Sequence, residues 1–132
     1  MEAALRQKLI DQAIQARQWA YAPYSHYQVG AVVLSDSGKI YEGVNIENAA
    51  YPTSICAERV AIFKAVSEGE YHFKTIVVAT ENGGTPCGSC RQVMAEFGLE
   101  TEVIIVDATG RIVMETNVET LLPGAFTSDH LV

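Results

Sequence analysis

The sequence runs to 132 residues, 48% hydrophobic and 19% charged, which supplies one hydrophobic core and carries no signature of disorder. Sixteen acidic residues against nine basic ones give a formal charge of −7, which argues against a nucleic-acid partner and for a small uncharged substrate. No segment approaches the roughly 20 apolar residues of a membrane span, and Met1–Gln7 lacks the basic-then-apolar order of a secretory signal. The expectation is a cytoplasmic protein with residues 1–132 forming a single domain, free of internal repeats and linkers.

Leu5, Leu9, Ile10, Ala13 and Ile14 recur at helical spacing, so residues 3–20 read as an amphipathic helix that ends before Pro23. Gln28–Leu34 and Ile40–Ile46 read as two strands joined around Asp36-Ser37-Gly38-Lys39, a hairpin. A polar loop over 47–54 leads to a helix from Cys56 to Val66 that stops at Gly69. Thr75–Ala79 is an apolar run of the kind buried on both faces, and a turn-rich loop then opens a helix over Gly88–Phe97. Val103–Val106 is a further buried strand, Arg111–Met114 pairs back antiparallel to it, and a short helix lies near 117–122. Helices that link buried strands predict an α/β fold: a mixed sheet with helices packed on its faces.

Three cysteines cannot close a disulfide framework, and in a reducing compartment clustered thiols more often bind metal or act in catalysis. Cys87-Gly88-Ser89-Cys90 places two of them three residues apart at a helix start, on one face. Cys56 stands at the start of another helix. Unpaired N–H groups and the helix dipole at such ends favour thiolate, the form that binds metal. Structural zinc sites close with four protein ligands, whereas catalytic sites keep three and leave a position for water. The chain has no fourth cysteine, and His26, His72 and His130 lack ligand spacing to the three and read as solvated surface residues. Cys56, Cys87 and Cys90 are therefore expected to hold one zinc ion with an open position. The alternatives are three buried thiols acting as small apolar residues, or a redox dithiol that leaves Cys56 and Glu58 without a role.

Glu58 follows Cys56 by two residues. In a first helical turn an acidic residue often does no more than complement the dipole, worth about 0.3–1 kcal/mol. Off the end of the helix axis, however, its carboxylate can reach the same ion as Cys56. Beside an acidified water it has the chemistry of a general base and acid. Arg59 is placed to hydrogen-bond the sulfurs and offset their charge.

Cys56-Ala57-Glu58 followed by Pro86-Cys87-Gly88-Ser89-Cys90 fits the all-cysteine form of the zinc-deaminase signature. Asn45-Ile46-Glu47-Asn48-Ala49-Ala50-Tyr51 is similar to the nucleoside-binding segment of cytidine deaminases. Ala20-Tyr21-Ala22-Pro23-Tyr24-Ser25 and Leu121-Leu122-Pro123-Gly124-Ala125-Phe126 resemble flanking parts of the small homotetrameric members, so the resemblance covers nearly the whole chain. It implies a roughly five-stranded mixed sheet and one zinc per chain. It also implies Asn45 and Glu47 on the ribose hydroxyls, and Glu58 with the backbone of Ala57 on the base. Ala49, Tyr51 and Phe126 would come from neighbouring subunits, with Phe126 stacked on cytosine. Tyr27 stands where such enzymes commonly carry a stacking Phe, and its added hydroxyl needs a partner.

The implied activity is hydrolytic deamination of cytidine and deoxycytidine to uridine and deoxyuridine, with release of ammonia, in pyrimidine salvage. No organic cofactor is required. The alternatives are a related deaminase acting on another base or on a cytosine-nucleoside antibiotic, a nucleic-acid editor, which the charge disfavours, and a non-catalytic zinc-stabilised binding module.

Overall fold

Along the central strands the apolar residues alternate in direction, and that alternation decides which helices each face of the sheet receives. The computed structural model describes residues 1–131. It contains α1 (Ala3–Ala16), β1 (Gly30–Ser35), β2 (Ile40–Val44), α2 (Ala57–Ser67), β3 (Phe73–Ala79), α3 (Gly88–Phe97), β4 (Glu102–Val106), β5 (Ile112–Asn117) and α4 (Val118–Leu121). The five strands form one sheet in the order β2-β1-β3-β4-β5. The β3–β4 pair is parallel and the other pairs are antiparallel.

On one face Val32 and Leu34 of β1, Val77 and Ala79 of β3, and Ile104 and Val106 of β4 meet Leu9, Ile10 and Ala13 of α1. Their neighbours Ala31, Val33, Ile76, Val78, Val103 and Ile105 point the other way, onto Ala57, Ala61, Ile62 and Ala65 of α2 and Met94 of α3. The result is a sheet with helices on both faces, as the apolar runs predict. Two glycines set the helix heights. A Cβ on Gly30 would lie 2.1 Å from the carbonyl oxygen of Ala13, and one on Gly43 would lie 2.4 Å from that of Ala57. At both points helix backbone rests on strand backbone, with no room for a side chain.

The departures from expectation have local causes. Helix α1 stops at Ala16 and tightens into a 3₁₀ turn over Arg17–Trp19, four residues before the proline. Strand β2 ends at Val44, because the Asn45 side chain takes over the next backbone partners, accepting from Val29 N–H at 2.9 Å and donating to Tyr27 C=O at 2.7 Å. Ile46 then makes only isolated bridges, to Tyr21 and Ile55. His130 is exposed, as expected, and its Nδ1 accepts from Thr127 N–H at 3.0 Å, closing a 3₁₀ turn.

The topology gathers one end of the sheet. Gly30 opens β1 opposite both Val44, the last residue of β2, and Ala79, the last of β3. Strands β2 and β3 therefore finish side by side, and the connections that follow them open α2 and α3 at that same end. In open α/β sheets this carboxyl-end crevice is where ligands bind.

Candidate active site

Cys56 and Cys87 are the N-cap residues of α2 and α3, in extended backbone conformation with no side-chain cap of their own. Cys90 lies one turn into α3 and is fully buried, Cys56 is half-buried and Cys87 is exposed. Their sulfurs all lie within 4.8 Å of one another. Cys56 Sγ is 3.7 Å from Cys87 Sγ, which is 3.5 Å from Cys90 Sγ. A tetrahedral ion with zinc–sulfur bonds of about 2.3 Å would set neighbouring sulfurs about 3.8 Å apart. The three sulfurs thus already approximate one face of a zinc tetrahedron, and the donor set fits the ion.

As free thiols the trio shares its protons unevenly. The neighbouring Cys90 thiol and a bond from Arg59 Nη2 to Cys56 Sγ at 3.4 Å favour the thiolate at Cys56, and its thiol pKa falls to about 5. Cys90 moves the opposite way, because it sits beside that thiolate and is buried. Arg59 is held more firmly protonated by its bond to Cys56, and its buried Nε has no protein partner among the described residues.

Glu58 is 5% exposed and lines a cleft of about 440 Å³ together with Tyr27, Asn45, Glu47, Cys56 and Cys87. Burial is the main reason its carboxyl is pushed up to about 7; the Cys56 charge adds to the rise, while backbone hydrogen bonding at the helix start opposes it. A carboxyl near neutrality exchanges protons readily in both directions.

The opposite wall comes from the segment before β1. Glu47 Oε1 accepts from the N–H groups of Tyr24 and Ser25, each at 3.0 Å, and the Ser25 hydroxyl donates to Oε2. Those bonds, led by the Ser25 hydroxyl, hold the Glu47 carboxyl below its ordinary value. Asn45 and Glu47 both line the cleft and at the same time fix its shape. The Tyr27 hydroxyl has its partner, donating to Asn82 Oδ1 at 2.7 Å.

Four further expected residues are not among those lining this cleft. Ala57 opens α2 with its side chain fully buried, which leaves its backbone, the part expected to meet a ligand. Ala49 is exposed, as are Tyr51 at 71% and Phe126 at 56%, and none of the three lines the cleft. Tyr51 instead borders an adjoining hollow that shares Ser25, Glu47 and Ser54 with it. Phe126 stacks on His130, ring centres 5.4 Å apart.

Sequence reasoning passed over Ser25, Thr80, Asn82, Gly84 and Arg91. Arg91, one turn past Cys87, donates to Pro86 C=O at 2.8 Å, to Leu121 C=O at 2.8 Å and to Thr85 Oγ1 at 3.1 Å, clamping the loop that presents Cys87. Its position four residues after the first cysteine was a usable signal, and the extra hydroxyl of Tyr27 was the signal for Asn82.

A mixed sheet with helices on both faces, a three-sulfur zinc centre and a buried acid beside it define a class: zinc-dependent hydrolytic proteins whose metal sits at two helix starts. Residues 4–116 match the family model of the cytidine and deoxycytidylate deaminase zinc-binding region. A cytidine deaminase of Halalkalibacterium halodurans is 50% identical over 129 residues, covering 96% of this chain and 97% of that one. One of Sporosarcina psychrophila is 46% identical over 127 residues, covering 95% and 93%. The crystal structure of cytidine deaminase from Burkholderia pseudomallei superposes with a TM-score of 0.87 at 42% identity, covering 96% of this chain and all of that one. The chain belongs to the cytidine and deoxycytidylate deaminase family.

Proposed function

We infer that the protein hydrolyses the exocyclic amine of cytidine and deoxycytidine, giving uridine or deoxyuridine and ammonia. The observation that carries this is Glu58, buried and near neutral in acidity, two residues from one of three converged thiols. Zinc held by Cys56, Cys87 and Cys90 supplies a Lewis acid that brings the pKa of a water down to about 7. Glu58 takes one proton from the water that adds to C4 of cytosine and delivers it to N3. It then moves the remaining proton of the new C4 hydroxyl to the amino group, which leaves as ammonia while the C4 carbonyl forms. Asn45 and Glu47, anchored by backbone bonds, keep one donor and free carboxylate lone pairs for the ribose hydroxyls. Ala57 offers backbone to the base, and Tyr27 forms the aromatic wall. Arg59 offsets the thiolate charge.

The same reading makes residues 1–132 one catalytic domain of a cytoplasmic homotetramer that serves pyrimidine salvage. Exposed Ala49, Tyr51 and Phe126 support it, being surface groups suited to completing a neighbour's cleft. Sedimentation as a monomer would remove that support. The test of the chemistry is Glu58→Gln: zinc stays at one per chain while ammonia release from cytidine falls by about 10²–10⁴. Substantial retained turnover sinks the role of Glu58.

A further inference from the structure

The hydrogen bond between Tyr27 and Asn82 joins two walls of the cleft that are otherwise built separately. Tyr27 belongs to the nucleoside wall: its N–H donates to Ser25 Oγ at 3.0 Å and its C=O accepts from Asn45 Nδ2 at 2.7 Å. Asn82 belongs to the loop that descends from β3 to Cys87, a loop fixed where Gly84 N–H donates to Thr80 Oγ1 at 2.8 Å. The 2.7 Å bond from the Tyr27 hydroxyl to Asn82 Oδ1 is thus a strut from the wall that carries Asn45 to the loop that presents a metal ligand.

Gly84 shows that this strut is built into the loop. A Cβ there would lie 2.5 Å from the Tyr27 hydroxyl oxygen, but 3.6 Å from ring carbon Cζ and 3.8 Å from Asn82 Oδ1, both ordinary contacts. Only the hydroxyl forbids a side chain at 84. The glycine therefore follows from tyrosine at 27, and a phenylalanine at 27 would leave room for alanine.

Resting on the deaminase reading above, we propose that Asn82 is a positioning residue for the nucleoside, acting through Tyr27, and that Gly84 is the position that admits this hydroxylated wall. Asn82 fixes the tilt of the Tyr27 ring and hence the spacing between the base-binding wall and the zinc loop. Its loss weakens substrate binding and leaves the proton transfers of Glu58 in place.

The experiment compares zinc-loaded parent protein, Y27F, N82A, Y27F/N82A, G84A and G84A/Y27F, each measured for thermal midpoint, zinc content, kcat and KM on cytidine. Y27F and N82A each raise KM about three- to tenfold, the equivalent of one net hydrogen bond, with kcat within about twofold and zinc unchanged. The double variant is no worse than either single one, because both remove the same bond. G84A lowers the thermal midpoint and raises KM beyond the Y27F value, and adding Y27F to it restores the midpoint and brings KM back to the Y27F value. An active parent whose Y27F and N82A effects add, or whose G84A defect Y27F leaves untouched, overturns this role alone. A parent inert toward cytidine overturns the deaminase reading, and this role with it.

Discussion

The two ends of the sheet treat buried polar groups in opposite ways. At the end where β1 turns into β2, Ser35 is fully buried, yet its hydroxyl contacts Ser37 Oγ at 2.7 Å and Glu70 Oε1 at 3.1 Å. Thr101, 5% exposed, donates to Phe73 C=O at 2.9 Å, and Thr75 donates to Glu102 at 3.3 Å. Each group there finds a partner that was free to accept it. At the cleft end, Glu58 is buried with its carboxyl raised to about 7, Cys90 is buried and shifted upward, and Arg59 Nε lacks a protein partner among the described residues. Burial with partners stabilises; burial that leaves ionisable groups shifted is the arrangement reactive sites use.

The contrast can be broken most severely at its metal end. Cys90→Ala should bind less than one zinc per chain and lose activity by about a thousandfold or more, since two thiolates cannot complete the site. Zinc stoichiometry with ammonia release checks both. Gly43→Ala tests how the cleft end is positioned. Its Cβ would press on the Ala57 carbonyl at 2.4 Å and displace the helix that carries Glu58. The cost should be about 1–3 kcal/mol in urea unfolding, with a fall in kcat; an unchanged urea midpoint would show that the contact does not set the helix height.

Two changes at the opposite end should sharpen the difference. Thr101→Val leaves the Phe73 carbonyl unsatisfied, costing about 1–3 kcal/mol of stability with kcat/KM unchanged. The smallest effect belongs to Glu70, whose carboxyl is held below its ordinary value chiefly by the Ser37 hydroxyl, with Ser35 adding to it. Because the folded value is depressed, the contribution is present above the unfolded pKa and fades as pH falls through the folded one. Glu70→Gln should therefore narrow the stability gap between neutral and acidic buffer. A denaturation series that shows the same acid sensitivity in both proteins would remove Glu70 from the account.

Much of this was legible in the chain, for reasons that differ by residue. Helix α3 spans Gly88–Phe97 as its sequence indicates, because the glycine pair before it and Gly98 after it leave little choice. The alternation Val32, Val33, Leu34 and the run Ile104, Ile105, Val106 announce strands covered on both faces. The C-x-x-C spacing marked the metal ligands, since sulfurs one helical turn apart converge whatever surrounds them. The close approaches at Gly30 and Gly43 were not legible, because a glycine in a strand looks the same whether it faces backbone or solvent. Nor was the end of β2: Ile46 has the apolarity of a strand residue, and only a long-range bond from Asn45 to the segment at 27–29 ends the ladder first. For Asn82 and Arg91 the sequence held a hint, the Tyr27 hydroxyl and the spacing from Cys87, but their partners are distant or on the backbone and only the fold identifies them.

The adjacent endings of β2 and β3 carry a consequence for how such a protein can change. Both helix starts are set by strand registers deep in the core, so the zinc ligands inherit their geometry from the most rigid part of the chain. The nucleoside wall is instead hung on side-chain bonds to the connection at residues 22–28. That connection can be rewritten one bond at a time without disturbing any strand register. Reactivity is thereby vested in the scaffold and substrate preference in its fittings, and the second is free to drift while the first is inherited.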